Sequence, residues 1–301
     1  MPSEAQTKRT LQPSVSCAGE DERFVREEMA WRERRDREMR APTSWLTIAG
    51  LFWLEQGENT FGSSRSNSIV LPEGSARLFA GKFILTGEEV TVVANEGVPI
   101  WVGSKLVTQT TLKEESDYDS EGPDIVRIDN LHMWVIRRGT RFTIRLRDLD
   151  NPPYRHYKGL DFFPPAKKYK IEADFVPYPI ARKTTLETVV GIETEKIATG
   201  YVLFTIDKQT YRLESYQSPF NEENPLFFIF KDETNGRETY EASRFMECQF
   251  LAKGRVDLNF NRAYNPPCAY TPHAVCPLPP PQNHLGILIQ GGEKKYPGTT
   301  R

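Results

Sequence analysis

Leu131-His-Met-Trp-Val-Ile-Arg-Arg-Gly-Thr-Arg-Phe-Thr-Ile-Arg-Leu-Arg147 carries the strand pattern that sets the fold class of this chain. Two runs rich in β-branched and aromatic residues stand on either side of a break at Gly139, which is the pattern of paired antiparallel strands. Working outward, runs of this kind recur from Ala41 onward between Gly, Pro, Asn and Asp. Strands are expected at 46–54, 59–62, 68–71, 82–85, 89–94, 98–102, 125–128, 131–137 and 141–147. A Pro-rich bridge at 151–169 follows, with Asn151-Pro-Pro and Phe163-Pro-Pro bracketing Tyr154-Arg-His-Tyr-Lys158. An interruption of that kind between strand-rich blocks marks a domain boundary. Further strands are expected at 170–176, 185–190, 192–197, 200–206, 209–217, 226–230, 244–251, 255–259 and 284–290. The fold class is therefore mostly β, with a sandwich over 41–150 and a second antiparallel barrel or sandwich over 170–301.

Ahead of the strands, residues 1–20 are polar and offer little apolar surface to offset the entropy of ordering, so they read as a disordered tail. Residues 21–40 contain no Gly or Pro and place glutamates and arginines at spacings that allow i,i+4 pairs. They are expected to form a charged surface helix, docked by a thin stripe of Phe24, Val25, Met29 and Trp31 and ended by Pro42.

Over 301 residues, 39 lysines and arginines against 41 aspartates and glutamates leave a net charge of −2. No global field draws nucleic acid or an anionic membrane, and neither is expected as a partner. No secretory signal and no long uncharged apolar run are seen, so a cytoplasmic protein is expected. The four cysteines, Cys17, Cys248, Cys268 and Cys276, are too few for a disulfide scaffold, and a reducing compartment would keep them as thiols, although Cys268 and Cys276 could still pair or share a metal.

The richest polar stretch is Asn261-Arg-Ala-Tyr-Asn-Pro-Pro-Cys-Ala-Tyr-Thr-Pro-His-Ala-Val-Cys-Pro-Leu-Pro-Pro-Pro-Gln-Asn-His284. Its prolines forbid helix and central strand, so it is expected as a rigid loop at the mouth of the second β domain, where ligands favour binding. Asn261, Tyr264, Asn265 and Thr271 are the expected ligand-binding residues, with Glu293 as a further polar anchor. Should the site be catalytic, hydrolytic or acid/base work would fall to Asp232, Glu238, Cys268 or His273. Cys268, His273, Cys276 and His284 could hold zinc, but their spacing departs from that of structural zinc loops, and no metal is assigned. The Asn235-Gly236 pair beside Asp232 and Glu238 reads as a tight hairpin turn. No phosphate-cradling glycine loop, dinucleotide fingerprint, His-Glu-x-x-His or Gly-x-Ser-x-Gly motif is present, and no cofactor is assigned.

Taken in order, Trp45-Leu-Thr-Ile-Ala-Gly-Leu-Phe-Trp-Leu-Glu-Gln-Gly-Glu-Asn-Thr-Phe-Gly62, Arg137-Arg-Gly-Thr-Arg141, Phe230-Lys-Asp-Glu-Thr-Asn-Gly-Arg-Glu-Thr-Tyr240 and the Pro/Cys loop resemble domain-of-unknown-function family 1684 over about 31–296. That family carries no established activity. Asn59-Thr-Phe-Gly-Ser-Ser-Arg-Ser-Asn-Ser-Ile-Val-Leu-Pro72 and Trp101-Val-Gly-Ser-Lys-Leu-Val107 also resemble forkhead-associated domains, which implies a forkhead-associated-like sandwich in the first block. Arg65, Ser66 and Asn67 match part of a phosphothreonine reader, whereas the expected serine and histidine of the next loop are missing from 73–82. The favoured reading is a binding site for a small polar molecule in the second block. A protein-interaction module using loop 63–67 and a zinc-stabilised structural protein are the alternatives.

Overall fold

The computed structural model describes residues 17–115, 122–218 and 226–298. Of the expected tail, residues 1–16 lie outside the described residues, and residues 17–20 open helix α1 (Cys17–Met39). The alternating charges make the i,i+4 pairs Arg23–Glu27 at 2.9 Å and Asp36–Arg40 at 2.7 Å. The docking face differs from the expected stripe. Of that stripe Phe24 is buried, while Val25 and Met29 are 44% and 45% exposed, and the helix buries Glu28 and Met39 beside Phe24. Polar groups face inward because each finds an opposite charge on the body. Glu28 accepts from Asn259 Nδ2 at 2.9 Å and Arg262 Nη2 at 3.0 Å, and Arg35 Nε donates to Glu293 at 2.8 Å.

The first block contains β1 (Ile48–Trp53), β2 (Gly57–Gly62), β3 (Ile69–Val70), β4 (Gly81–Thr86), β5 (Glu89–Ala94), β6 (Ile100–Val102), β7 (Lys105–Val107), β8 (Gln109–Leu112), β9 (Val126–Ile128), β10 (Leu131–Arg138) and β11 (Arg141–Asp148). A six-stranded sheet, β1-β11-β10-β9-β6-β7, faces a five-stranded one, β3-β2-β4-β5-β8. The opening stretch is the β10–β11 hairpin, in register from Leu131↔Asp148 to Arg138↔Arg141. Alternating inward residues fill the interior, Phe61, Phe83 and Val92 from one sheet meeting Ile100, Met133 and Ile144 from the other.

The second block is a single six-stranded sheet of β12 (Lys170–Glu187), β13 (Glu193–Ile206), β14 (Gln209–Gln217), β15 (Leu226–Phe230), β16 (Arg244–Cys248) and β17 (Arg255–Asn259). Its order is β16-β15-β14-β13-β12-β17. The two end strands meet where Asp257 N donates to Gln249 O at 3.1 Å, which curls the sheet into a partly closed barrel around Phe204, Phe228, Met246 and Phe260. Strands expected separately at 170–176 and 185–190 are one long β12. Its prolines sit at a register shift between Pro177 and Arg182, where no ladder hydrogen bond is asked of them. The strand expected at 284–290 does not form; Leu285 and Ile289 are buried there in irregular chain.

The Pro/Cys loop lies on the outside of the barrel and not at its mouth. All five residues of β15 are buried because Phe228 and Phe230 point into the barrel while Phe227 and Ile229 pack outward against Cys268, Tyr270 and Cys276 of the loop. The two blocks are tied by Thr271 Oγ1 donating to Ile48 O at 3.0 Å, and the bridge is fixed to the first block by Asn151 Nδ2 donating to Leu46 O at 2.6 Å.

Candidate functional site

Most of the loop residues expected to bind a ligand hold the chain together. Asn261 is fully buried, its Oδ1 accepting from Ala166 N at 2.8 Å and its Nδ2 donating to Ala166 O at 3.0 Å. Asn265 Nδ2 donates to Lys294 O, and Thr271 joins the blocks as above. A buried side chain whose polar atoms are engaged with backbone has nothing left to offer a ligand.

Glu293 is the centre of this packing. Its oxygens accept from Arg35 Nε, Asn265 N and the Tyr270 hydroxyl, each at 2.8 Å. The preceding Gly292 has φ +82°, and a Cβ there would collide with the carbonyl oxygen of Ala263, so glycine is what lets the chain aim Glu293 inward. Burial works against the charge on Arg35, yet Glu293 outweighs it and holds the guanidinium above its ordinary pKa.

Tyr264 alone of the expected ligand-binding residues reaches a cavity. It pairs with Phe245 of β16 through reciprocal backbone bonds of 2.9 and 2.8 Å, which sets its ring beneath helix α1. The cavity there is about 500 Å³, in the range of small-molecule sites, with Trp31, Arg34 and Arg35 from the helix, Trp45, and Glu247 from β16 among its walls. Alternation on β16 explains Glu247: Met246 and Cys248 fill the barrel, so Phe245 and Glu247 point out. The Tyr264 hydroxyl donates to Glu247 Oε1 at 2.8 Å, and no described residue donates to Oε2. Burial raises the Glu247 carboxyl above the usual carboxylate range, opposed in part by the tyrosine bond and by Arg35. The same burial raises the Tyr264 hydroxyl well above its ordinary value. Glu247 carries no motif in the sequence; its only sign is a carboxylate alternating with buried apolar residues in a strand.

The residues expected to be catalytic do not come together. Asp232 is buried against Arg244, Oδ2 accepting from Nη1 at 2.8 Å, while Oδ1 accepts from Thr234 N and Oγ1 at 2.9 and 2.6 Å. These bonds organise residues 231–243 as a compact loop, in place of the tight two-residue hairpin expected, although Gly236 does take a left-handed φ of +81°. Glu238 lies exposed beside Gln290, whose Nε2 donates to it at 3.1 Å. Cys268 and Cys276 are joined in a disulfide, so the thiols expected of a reducing compartment, and the two thiolates a zinc site would need, are both spent. His273 stands partly buried in the same loop, its backbone N donating to Thr271 Oγ1 at 3.2 Å. In the sandwich, Asn67 of loop 63–67 is buried, its Nδ2 donating to Ser64 O and Leu78 O, so only part of the expected phosphate-reading cluster faces outward.

Fold and cavity define a mostly β protein of two blocks, with a helix clasped to the outside of the second over a pocket lined by both arginines and carboxylates. The family described as "Protein of unknown function (DUF1684)" matches residues 155–294. An uncharacterized protein of Haloarcula marismortui, solved in solution, is 30% identical over 48% of this chain and 80% of its own, with a TM-score of 0.39. The FhaA FHA domain, solved with the intracellular domain of Rv3910, is 16% identical over 32% of this chain and 97% of its own, at a TM-score of 0.22. The FHA-2 domain from a Mycobacterium tuberculosis ABC transporter is 20% identical over 31% and 77%, at 0.23. No curated protein matches the chain. No helix among the described residues is long and apolar enough to cross a membrane.

Proposed function

We propose that the cavity under helix α1 takes a small polar molecule and that Glu247 exchanges a proton with it. The observation that supports this reading is the state of Glu247, a carboxyl with a raised pKa, one oxygen fixed by Tyr264, on the wall of a cavity of about 500 Å³. A carboxyl moved toward neutrality is a better general acid or base at neutral pH than an ordinary one, and a fixed oxygen lowers the cost of orienting it. Trp31 and Trp45 offer flat apolar surface for the body of the molecule, and Arg34 offers a positive charge.

The test is a library of small polar metabolites presented to the protein and read by native mass spectrometry, with Glu247→Gln and Tyr264→Phe beside the parent chain. A metabolite retained by the parent and weakened about tenfold or more in Glu247→Gln is the expected result, since a hydrogen bond to a charged group is lost. Its affinity should also change with pH around a midpoint above the ordinary carboxylate value of about 4.3. Retention unchanged in both variants would sink the proposal. A phosphothreonine peptide library is the control arm: binding that disappears in Arg65→Ala, with the metabolites silent, would transfer function to the sandwich loop.

A further inference from the structure

The sequence Arg137-Arg-Gly-Thr-Arg141 turns β10 into β11 and gathers guanidinium groups at one end of the sandwich. Arg145, further along β11, is buried at 7% exposure. It stands between two indoles, its guanidinium carbon 5.8 Å from the ring centres of both Trp45 and Trp134. The nearest carboxylate among the described residues is Glu115, whose Oε1 is 4.0 Å from Nη1, and Glu115 already accepts the Trp134 indole N–H at 2.6 Å. Arg145 makes no hydrogen bond to any described residue, and its Nε is sealed from solvent without an acceptor. Arg244 shows what the same chain does with a buried guanidinium whose role is structural: it donates to Asp232 at 2.8 Å, to Ile289 O at 3.0 Å and to Gly291 O.

Arg145 lines a cleft of about 450 Å³ where the sandwich meets the barrel and the Pro/Cys loop. Arg138 lines it too, its side chain donating to Arg137 O, with no ion-pair partner among the described residues. Of the carboxylates on the wall besides Glu115, Glu195 is paired with Lys183 at 3.1 Å, and Glu193 is exposed. A guanidinium taken out of water needs both charge compensation and acceptors for its planar fork; Glu115 at 4.0 Å supplies the first without accepting a hydrogen bond.

We propose that this cleft binds a small oxyanion, the carboxylate or phosphate group of a small molecule, held by the fork of Arg145 and flanked by Arg138. An oxyanion supplies two parallel acceptors to a guanidinium, which matches what the buried Arg145 lacks. Burial, with Arg138 and Arg147 adding like charge, has moved the Arg145 guanidinium down to about 10, and an anion in the cleft would restore it. Trp45, Phe245 and Pro267 line both this cleft and the Glu247 cavity, but the anion site uses none of the acid/base groups and stands without them.

Isothermal titration at low ionic strength, in a buffer free of carboxylate and phosphate, is the test, with inorganic phosphate in one arm and acetate in the other. Saturable binding in either arm is expected, and the arm that saturates at the lower concentration assigns the group. Arg138→Ala should weaken that binding about tenfold or more, as loss of a charged hydrogen-bonding partner does, and Arg145→Met should abolish it. Glu247→Gln should leave it unchanged, which separates this site from the proposed metabolite cavity. Absence of saturable binding in both arms, or equal binding in parent and Arg138→Ala, would overturn the proposal. Because Arg138 is not a core residue, its variant decides the matter should Arg145→Met fail to fold.

Discussion

Two glutamates a few side chains apart show how residue chemistry is set by neighbours. Glu293 is buried with its donors in place, whereas Glu247 is partly buried with one. Glu293→Gln would leave the Arg35 charge inside without its anion, and a loss of about 3–5 kcal/mol is expected in urea unfolding. Glu247→Gln should behave oppositely. Its carboxyl pKa is raised in the folded chain, so the stability it contributes is fully present below the unfolded value of about 4.3 and is lost as pH rises through the folded value. Glutamine keeps the shape without the charge and escapes that loss. The variant should therefore be as stable as the parent near pH 4 and more stable at pH 7, measured as the urea midpoint at each pH. A drop at pH 7 would mean that the carboxylate serves a structural bond. Of the residues singled out by the sequence, Tyr264 reaches this cavity and Asn261, Asn265 and Glu293 do not, because the sequence marks polar groups among prolines without showing which have partners.

Helix α1 shows the same limit for an element. Its existence is legible from composition, but an amphipathic reading puts its apolar residues inward, and the body instead presents Asn259, Arg262 and Glu293 to it. Glu28→Ala removes the acceptor of a buried Asn259 amide and a partner of Arg262, and a cost of about 1–3 kcal/mol is expected, with faster amide exchange in the helix. Val25→Ala, at an exposed position expected from sequence to be docked, should change stability by less than about 0.5 kcal/mol. Strands were more legible than the helix face, since alternation and turn residues act over a few neighbours: 89–94, 209–217, 226–230 and 255–259 fall where expected. The run at 284–290 misled because its apolar residues cap the core from irregular chain.

For the whole molecule, the Pro/Cys loop is the seam. It covers the outer face of β15, carries the Cys268–Cys276 disulfide and reaches the sandwich through Thr271. Reduction of that disulfide, or Cys276→Ser, should lower stability by about 2 kcal/mol, the modest value suited to a short closed loop, without unfolding the chain. Equal urea midpoints with and without reductant would show that packing alone holds the loop. By itself the sequence determined the mostly β character and the N-terminal helix, because strand propensity, helix composition and turn chemistry act locally. Only the tertiary structure decided that the loop lies outside the barrel, that Glu247 faces a cavity and that the buried Arg145 makes no hydrogen bond to a described residue. Those depend on which groups from distant parts of the chain meet in low dielectric, where a charge is either matched by a neighbour or left waiting for a ligand.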